Sequence, residues 1–198
     1  MRIGLDFDNT IACYDGVFHA AACARDLIPP DIGTTKNAVR DYLNGAGQKD
    51  TFTELQGWVY GARMDLVSPY PGVGAFLDRA RALGHELCVI SHKTRVPLRG
   101  PAYDMHEAAR GFLTHNALVG EGRIPEDDVF FAETKEAKIA LIGDRGCDVF
   151  VDDLPEILVF PGFPTKARGV LFDPNASYPT QQSCESWDDL TGLILGRA

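Results

Sequence analysis

Two aspartates, Asp6 and Asp8, stand two positions apart in "RIGLDFDNT", at the end of an apolar, strand-like run. Two carboxylates about 5 Å apart repel by roughly 3 kcal/mol at an effective dielectric of about 20. A second acidic pair, Asp152 and Asp153, closes another apolar run, "CDVFVDD", and adds further terms of the same sign. A fold tolerates such crowding where a cation sits among the carboxylates. Oxygen donors with neither His nor Cys beside them suit a hard ion, Mg2+, which keeps several waters and recruits substrate phosphate.

A metal alone does not require the one-residue gap between Asp6 and Asp8. A division of labour does: Asp6 as nucleophile, Asp8 protonating the leaving group and later activating water. Phosphoryl transfer of this kind is mostly positioning and charge neutralisation, so it needs a cation and a hydroxyl clamp as well. Ser91 ends the run "ELCVIS", and Lys135 comes directly after "DVFFAE". Lys138, three residues on, is an alternative cation. Lys135 is preferred because it lies nearer the strand end, with Lys138 facing along the helix. The backbone N–H of His92 is a candidate phosphate donor, whereas its ring is expected to be exposed. Asp153 is either a direct ligand or a partner behind Asp152. Glu156, after Pro155, reads as a first-turn helix acid.

These groups need elements to bring them together. Strand-type runs occur at residues 3–7, 86–91, 128–133, 147–153 and 169–174, mostly short and apolar, as strands covered on both faces require. Helix-type segments alternate with them, including "PGVGAFLDRARALG", "AYDMHEAARGFLTHNALVG" and "TKEAKIALIGDRG". Alternation of this kind predicts an α/β fold with a parallel sheet, in which functional groups gather beyond the carboxyl ends of the strands. One segment breaks the rhythm. Between Tyr14 and Ser68 no strand pattern appears, and "VFHAAACARDL", "TKNAVRDYLNG" and "TFTELQGWVYGARM" read as three helices. The expected organisation is therefore a core of residues 1–13 and 69–198 with a helical insertion at 14–68. A last helix is expected over 188–195, anchored by Trp187.

In order along the chain, "DFDNT" (Asp6, Asp8, Thr10), "VISHKT" (Ser91), "AETKEAK" (Lys135 or Lys138) and "FVDD" (Asp152, Asp153) resemble the four signatures of the haloacid dehalogenase-like superfamily of Mg2+-dependent phosphatases. The resemblance spans residues 6–153. It implies a Rossmann-like parallel sheet with helices on both faces, and it makes the insertion a small α-helical cap that closes over the phosphoester and chooses the leaving group. It further implies that Asp6 forms an aspartyl-phosphate and ligates Mg2+. Asp8 would act as acid and base and bind metal through its backbone carbonyl. Ser91 and a lysine would hold the phosphoryl group, and Asp152 would ligate metal with Asp153 close behind. Asn9 departs from the pattern, standing where glycine is frequent, a change expected to alter only the local turn.

Composition narrows the rest. A formal charge of −9 disfavours a polynucleotide partner, since phosphate-backbone binding relies on Lys and Arg, but it leaves room for a small phosphorylated metabolite. No run of about 18 apolar residues is present, so no membrane span is expected. The first residues do not read as a signal peptide, because Asp6 and Asp8 interrupt the apolar stretch. Five scattered cysteines without CxxC spacing suit free thiols in a reducing cytoplasm. Hydrolysis of a phosphomonoester is the expected reaction. A phosphomutase would use the same aspartates, whereas a true dehalogenase would need no metal and have no use for Asp8. A non-enzymatic phosphoacceptor domain of the receiver kind also gathers acids, a hydroxyl and a lysine, but there the acidic pair precedes the phosphorylated residue. Lys36, Arg40, Lys49 and Arg63 of the insertion are candidates for recognising a second anionic group, and Trp58 and Tyr60 for lining a pocket.

Overall fold

The computed structural model describes residues 1–120, 122–179 and 181–196. The chain divides into two compact units: Met1–Ala12 with Pro69–Lys93 and Leu113–Ala198, and Cys13–Ser68 with Thr94–Phe112.

The first unit is built on a six-stranded sheet. In chain order its strands are β1 (Arg2–Leu5), β4 (Glu86–His92), β5 (Val129–Ala132), β6 (Val149–Asp152), β7 (Arg168–Phe172) and β8 (Ser183–Cys184). They lie side by side in the order β5-β4-β1-β6-β7-β8, and every pairing is parallel. The short strands β2 (Ala12–Cys13) and β3 (Ser68–Pro69) form a separate two-stranded sheet where the chain passes between the units. The six-stranded sheet needs cover on both faces because the central residues of its longer strands are apolar. Ile3, Leu5, Val89, Ile90, Phe150 and Val151 have no exposed surface. The helices of this unit are α4 (Val73–Ala82), α6 (Lys135–Asp144), the short α7 (Pro155–Leu158) and α8 (Trp187–Leu195), whereas most of α5 (Met105–His115) belongs to the second unit.

Strand order decides where chemistry can occur. β1 lies in the interior of the sheet with β4 on one side and β6 on the other. Leu5 is level with Val89 and with Val151, so the residues that follow each strand emerge at one edge. The chain runs outward from β1 in one direction first and returns to its other side for β6, which is the arrangement that opens a crevice beyond the strand ends.

β1 ends at Leu5, two residues before the expected end at Phe7. The Asp6 amide still donates to the Val151 carbonyl at 2.9 Å, and then the chain turns. The amides of Ile11 and Ala12 both donate to the Phe7 carbonyl, at 3.0 and 2.9 Å. That turn puts Asn9 at φ 54°, the left-handed region that Asn enters more readily than other side-chain-bearing residues. Asn9 thus meets the backbone demand that glycine meets elsewhere. β8, only two residues long, carried no periodic signal and was not expected.

The second unit contains α1 (Val17–Ala24), α2 (Lys36–Gly45) and α3 (Lys49–Ala62), whose fully buried residues include Phe18, Val39, Leu43, Leu55 and Val59. The Thr35 hydroxyl caps α2 by accepting from the Ala38 amide at 3.1 Å. The expected insertion, 14–68, is joined here by Thr94–Phe112. α3 explains why. Gly57 and Gly61 are four apart and share a helix face. A Cβ built on Gly57 would lie 2.5 Å from the Pro97 side chain, and one on Gly61 would collide with that of Tyr103. The bare face lets the segment lie close, and the Arg99–Asp50 ion pair at 2.9 Å ties it down. Among the described residues no helix is long and apolar enough to cross a membrane.

Candidate active site

Asp6 is 4% exposed at the carboxyl edge of the sheet. Its Oδ1 accepts from the Ser91 hydroxyl at 2.8 Å and from Lys138 Nζ at 2.6 Å. Lys138 reaches a second carboxylate at once, donating to Asp152 Oδ2 at 2.5 Å, and Asp152 Oδ1 accepts from the Leu154 amide at 2.9 Å. Asp6, Asp152 and Asp153 each present an oxygen within 4.8 Å of the others.

The electrostatics of this cluster are those of too many acids and too few cations. Burial, with the Asp6 charge added, pushes the Asp152 carboxyl up to about 7, although Lys138 and the Leu154 amide pull the other way. Burial also holds Asp153 well above the ordinary carboxylate value, helped by the charges of Asp6 and Asp152. For Lys138, burial lowers the pKa, but Asp6 and Asp152 outweigh it, and the ammonium is held above its ordinary value. Three converging carboxylates, oxygen donors throughout, fit a hard divalent cation. The raised proton affinity of Asp152 and Asp153 is what crowded, buried carboxylates show.

The sequence favoured Lys135 as the cation, and here the geometry differs. Lys135 Nζ pairs with Glu156 at 2.5 Å, at an exposed position, and Lys138 takes the place beside Asp6. Thr134 is the N-cap of α6, accepting from the Ala137 amide, so Lys135 opens the first turn. Helical side chains lean toward the N-terminus, and the residue covering a given spot lies C-terminal to it. A lysine in the first position therefore leans past the helix start into solvent, while one a turn later reaches back over the strand ends. Lys138 also shares the buried face of α6 with Ile139 and Ile142. That apolar neighbourhood was the available signal.

Asp8 is not one of the three grouped carboxylates, although its charge adds to those that raise Asp153. Both its oxygens accept from Lys93 Nζ, at 2.9 and 2.8 Å. Lys93, two residues after Ser91, is 4% exposed and was given no role in the sequence reading. The signal was its spacing: a lysine two beyond Ser91 lies at the same sheet edge as Asp8. The exposed His92 places Nε2 3.3 Å from the Glu133 carbonyl. The Thr10 hydroxyl is buried, with no hydrogen-bond partner among the described residues, and the Thr10 carbonyl accepts from the Trp187 indole at 3.2 Å. Trp187 is fully buried against Phe76 and Phe172 and anchors the last helix.

In the second unit, three of the four candidate cations are engaged within that unit. Lys36 donates to the Tyr60 hydroxyl at 2.7 Å and lies over the Phe18 and Tyr60 rings. Arg40 pairs with Asp41, and Arg63 with Asp65, each at 2.9 Å. Lys49 is exposed at the start of α3. Tyr60 packs on Tyr14 and Phe18, while Trp58 has the guanidinium groups of Arg25 and Arg63 each 5.1 Å from its ring.

No protein-family model matches the sequence, and no curated protein does. The fold does have solved counterparts. A HAD-superfamily hydrolase from Ehrlichia chaffeensis superposes with a TM-score of 0.60 at 11% identity, over 98% of this chain and 95% of that one. A predicted phosphatase from Clostridium acetobutylicum gives 0.60 at 16% identity, over 99% and 98%. A HAD phosphatase from Thermococcus onnurineus gives 0.54 at 16% identity, over 99% and 98%. At such identities the likeness is one of fold: an α/β, Rossmann-like parallel sheet shared with haloacid dehalogenase-like hydrolases.

Proposed function

We propose that the chain is a Mg2+-dependent phosphohydrolase that cleaves a small phosphomonoester through an aspartyl-phosphate on Asp6. The observation that carries this reading is the Asp6 carboxylate. It is held by Ser91 and Lys138 within a group of three carboxylates, at the carboxyl edge of an interior strand. A structural ion pair would need neither the serine nor the second and third acids.

Each side chain has a task in this reading. Ser91 and Lys138 fix the rotation of Asp6 so that one oxygen faces the incoming phosphorus, and they then hold the transferring oxygens. Asp8 gives a proton to the departing oxygen and later takes one from water. The His92 backbone N–H is assigned to the phosphoryl group. Asp6 and Asp152, with Asp153 and the Asp8 carbonyl, would hold Mg2+. Bound there, the ion supplies charge neutralisation for the phosphoryl oxygens. The helical unit is assigned the choice of leaving group, as the cap implied by the sequence signatures.

The first test is hydrolysis of an aryl phosphate with Mg2+ by the wild type and by Asp6→Asn. The variant is expected to lose activity by about a thousandfold or more while keeping its fold, as removal of a nucleophile does. Undiminished Mg2+-dependent turnover in Asp6→Asn would refute the nucleophile, and turnover surviving EDTA would refute the metal. A panel of phosphorylated metabolites identifies the substrate. A requirement for a bisphosphate primer in that panel would replace hydrolase by mutase.

A further inference from the structure

We infer that Lys93 is a positioning residue for proton transfer: it fixes the Asp8 carboxylate and stabilises the charge that develops there as Asp8 protonates the leaving oxygen. The inference rests on the phosphohydrolase reading and adds to it a residue to which the four signatures gave no role.

Lys93 and Lys138 divide the site. Lys138 serves Asp6 and Asp152, the side of nucleophile and metal. Lys93 serves Asp8, donating to both of its oxygens. A two-point contact removes the rotational freedom that a single hydrogen bond would leave. Lys93 is itself well held. Its backbone amide donates to the Ala132 carbonyl at 2.8 Å, its ammonium lies 5.4 Å from the centre of the buried Phe7 ring, and its side chain is 3% exposed. An ammonium is costly to bury, and a fold retains it where it meets a matching charge.

The chemistry follows from where charge appears. An Asp6 oxygen attacks phosphorus, and the bond from phosphorus to the leaving oxygen breaks with its electron pair on that oxygen. The oxygen takes the proton from the Asp8 carboxyl, which becomes a carboxylate facing the Lys93 ammonium. Water then attacks phosphorus, the Asp6–phosphorus bond breaks, and the water proton returns to Asp8. Negative charge thus builds on Asp8 in the first step in proportion to how far proton transfer has advanced. A basic leaving group demands more transfer than an acidic one, so it draws more on Lys93.

The test compares kcat/KM for nitrophenyl, phenyl and benzyl phosphate, in order of rising leaving-group basicity, in the wild type, Asp6→Asn, Lys93→Met and Lys93→Arg. Lys93→Met is expected to lose about a hundredfold on benzyl phosphate and less than about tenfold on nitrophenyl phosphate. Lys93→Arg, which keeps the charge, is expected to hold the wild-type dependence within about threefold. In an Asp8→Asn background, Lys93→Met is expected to add less than about threefold, since it acts through Asp8. An equal loss on all three esters, or the same loss with Asp8 already removed, would overturn the role while leaving the phosphohydrolase reading intact. Full activity in Asp6→Asn, or no hydrolysis by the wild type, would overturn that reading and this one with it. If the methionine variant does not fold, Lys93→Gln carries the same expectations.

Discussion

Lys138 places one ammonium between Asp6 and Asp152, and this single side chain is what lets two of the buried acids coexist without metal. Removing one partner from a buried ionic group costs about 3–5 kcal/mol, because the remaining charges lose their compensation. Lys138→Met is therefore expected to destabilise the metal-free protein by about 3 kcal/mol and to lower kcat by about a hundredfold or more. Lys135 makes the matched control. Its pair with Glu156 is exposed, and such pairs contribute about 0–1 kcal/mol. Lys135→Met should leave kcat within about threefold and the urea midpoint nearly unchanged. Side-by-side urea titrations and rates on one aryl phosphate decide it. A larger loss in Lys135→Met than in Lys138→Met would reverse the assignment.

At the scale of elements, the bare face of α3 makes the sharpest claim. Gly61 packs against Tyr103 so closely that a methyl group has no room, and the neighbour is the stem of an aromatic side chain rather than a flexible tip. Gly61→Ala is expected to destabilise the helical unit by about 1–3 kcal/mol through overpacking, despite alanine's better helix propensity. Gly45→Ala, with open space around it at the end of α2, should be neutral or mildly stabilising by comparison. Thermal melts of the two variants check both, and a more stable Gly61→Ala would mean that the segment 94–112 does not lie where it is placed. These glycines also mark what the sequence could convey. The five longer strands were legible because a strand buried on both faces must be apolar along its length, and the three helices of the insertion because their apolar residues recur at helical spacing. That Thr94–Phe112 would pack on α3 was not legible. Its cause is an absence of side chains at Gly57 and Gly61, and an absence has no periodicity. The site divided in the same way. Asp6, Ser91 and Asp152 were readable as strand ends that a parallel sheet must bring together. The choice between Lys135 and Lys138 needed the lean of helical side chains, and Lys93 needed knowledge of where β4 stops.

For the molecule as a whole, the acidic cluster ties stability to both pH and metal. In the metal-free protein the Asp152 carboxyl is raised from 3.8 to about 7, and Asp153 moves in the same direction. A group whose pKa is higher in the folded than in the unfolded state binds more protons when folded. Its stabilising contribution is complete below the unfolded value and is lost as pH rises through the folded one. The metal-free fold should therefore weaken across the interval between those values, and a divalent cation should replace the missing protons. Saturating Mg2+ stabilises by binding only the folded state, by about 2.7 kcal/mol at a hundred times its Kd. Because Mg2+ competes with protons for these carboxylates, the rise in thermal midpoint that it produces should be larger at about pH 8 than at about pH 5.5. EDTA should abolish the rise at both. Asp152→Asn, which removes the shifted group, should make the metal-free protein less sensitive to pH over that interval and reduce the gain from Mg2+. A gain of equal size at the two pH values, unchanged in Asp152→Asn, would show that the ion binds elsewhere on a chain whose formal charge of −9 offers it other acidic surface.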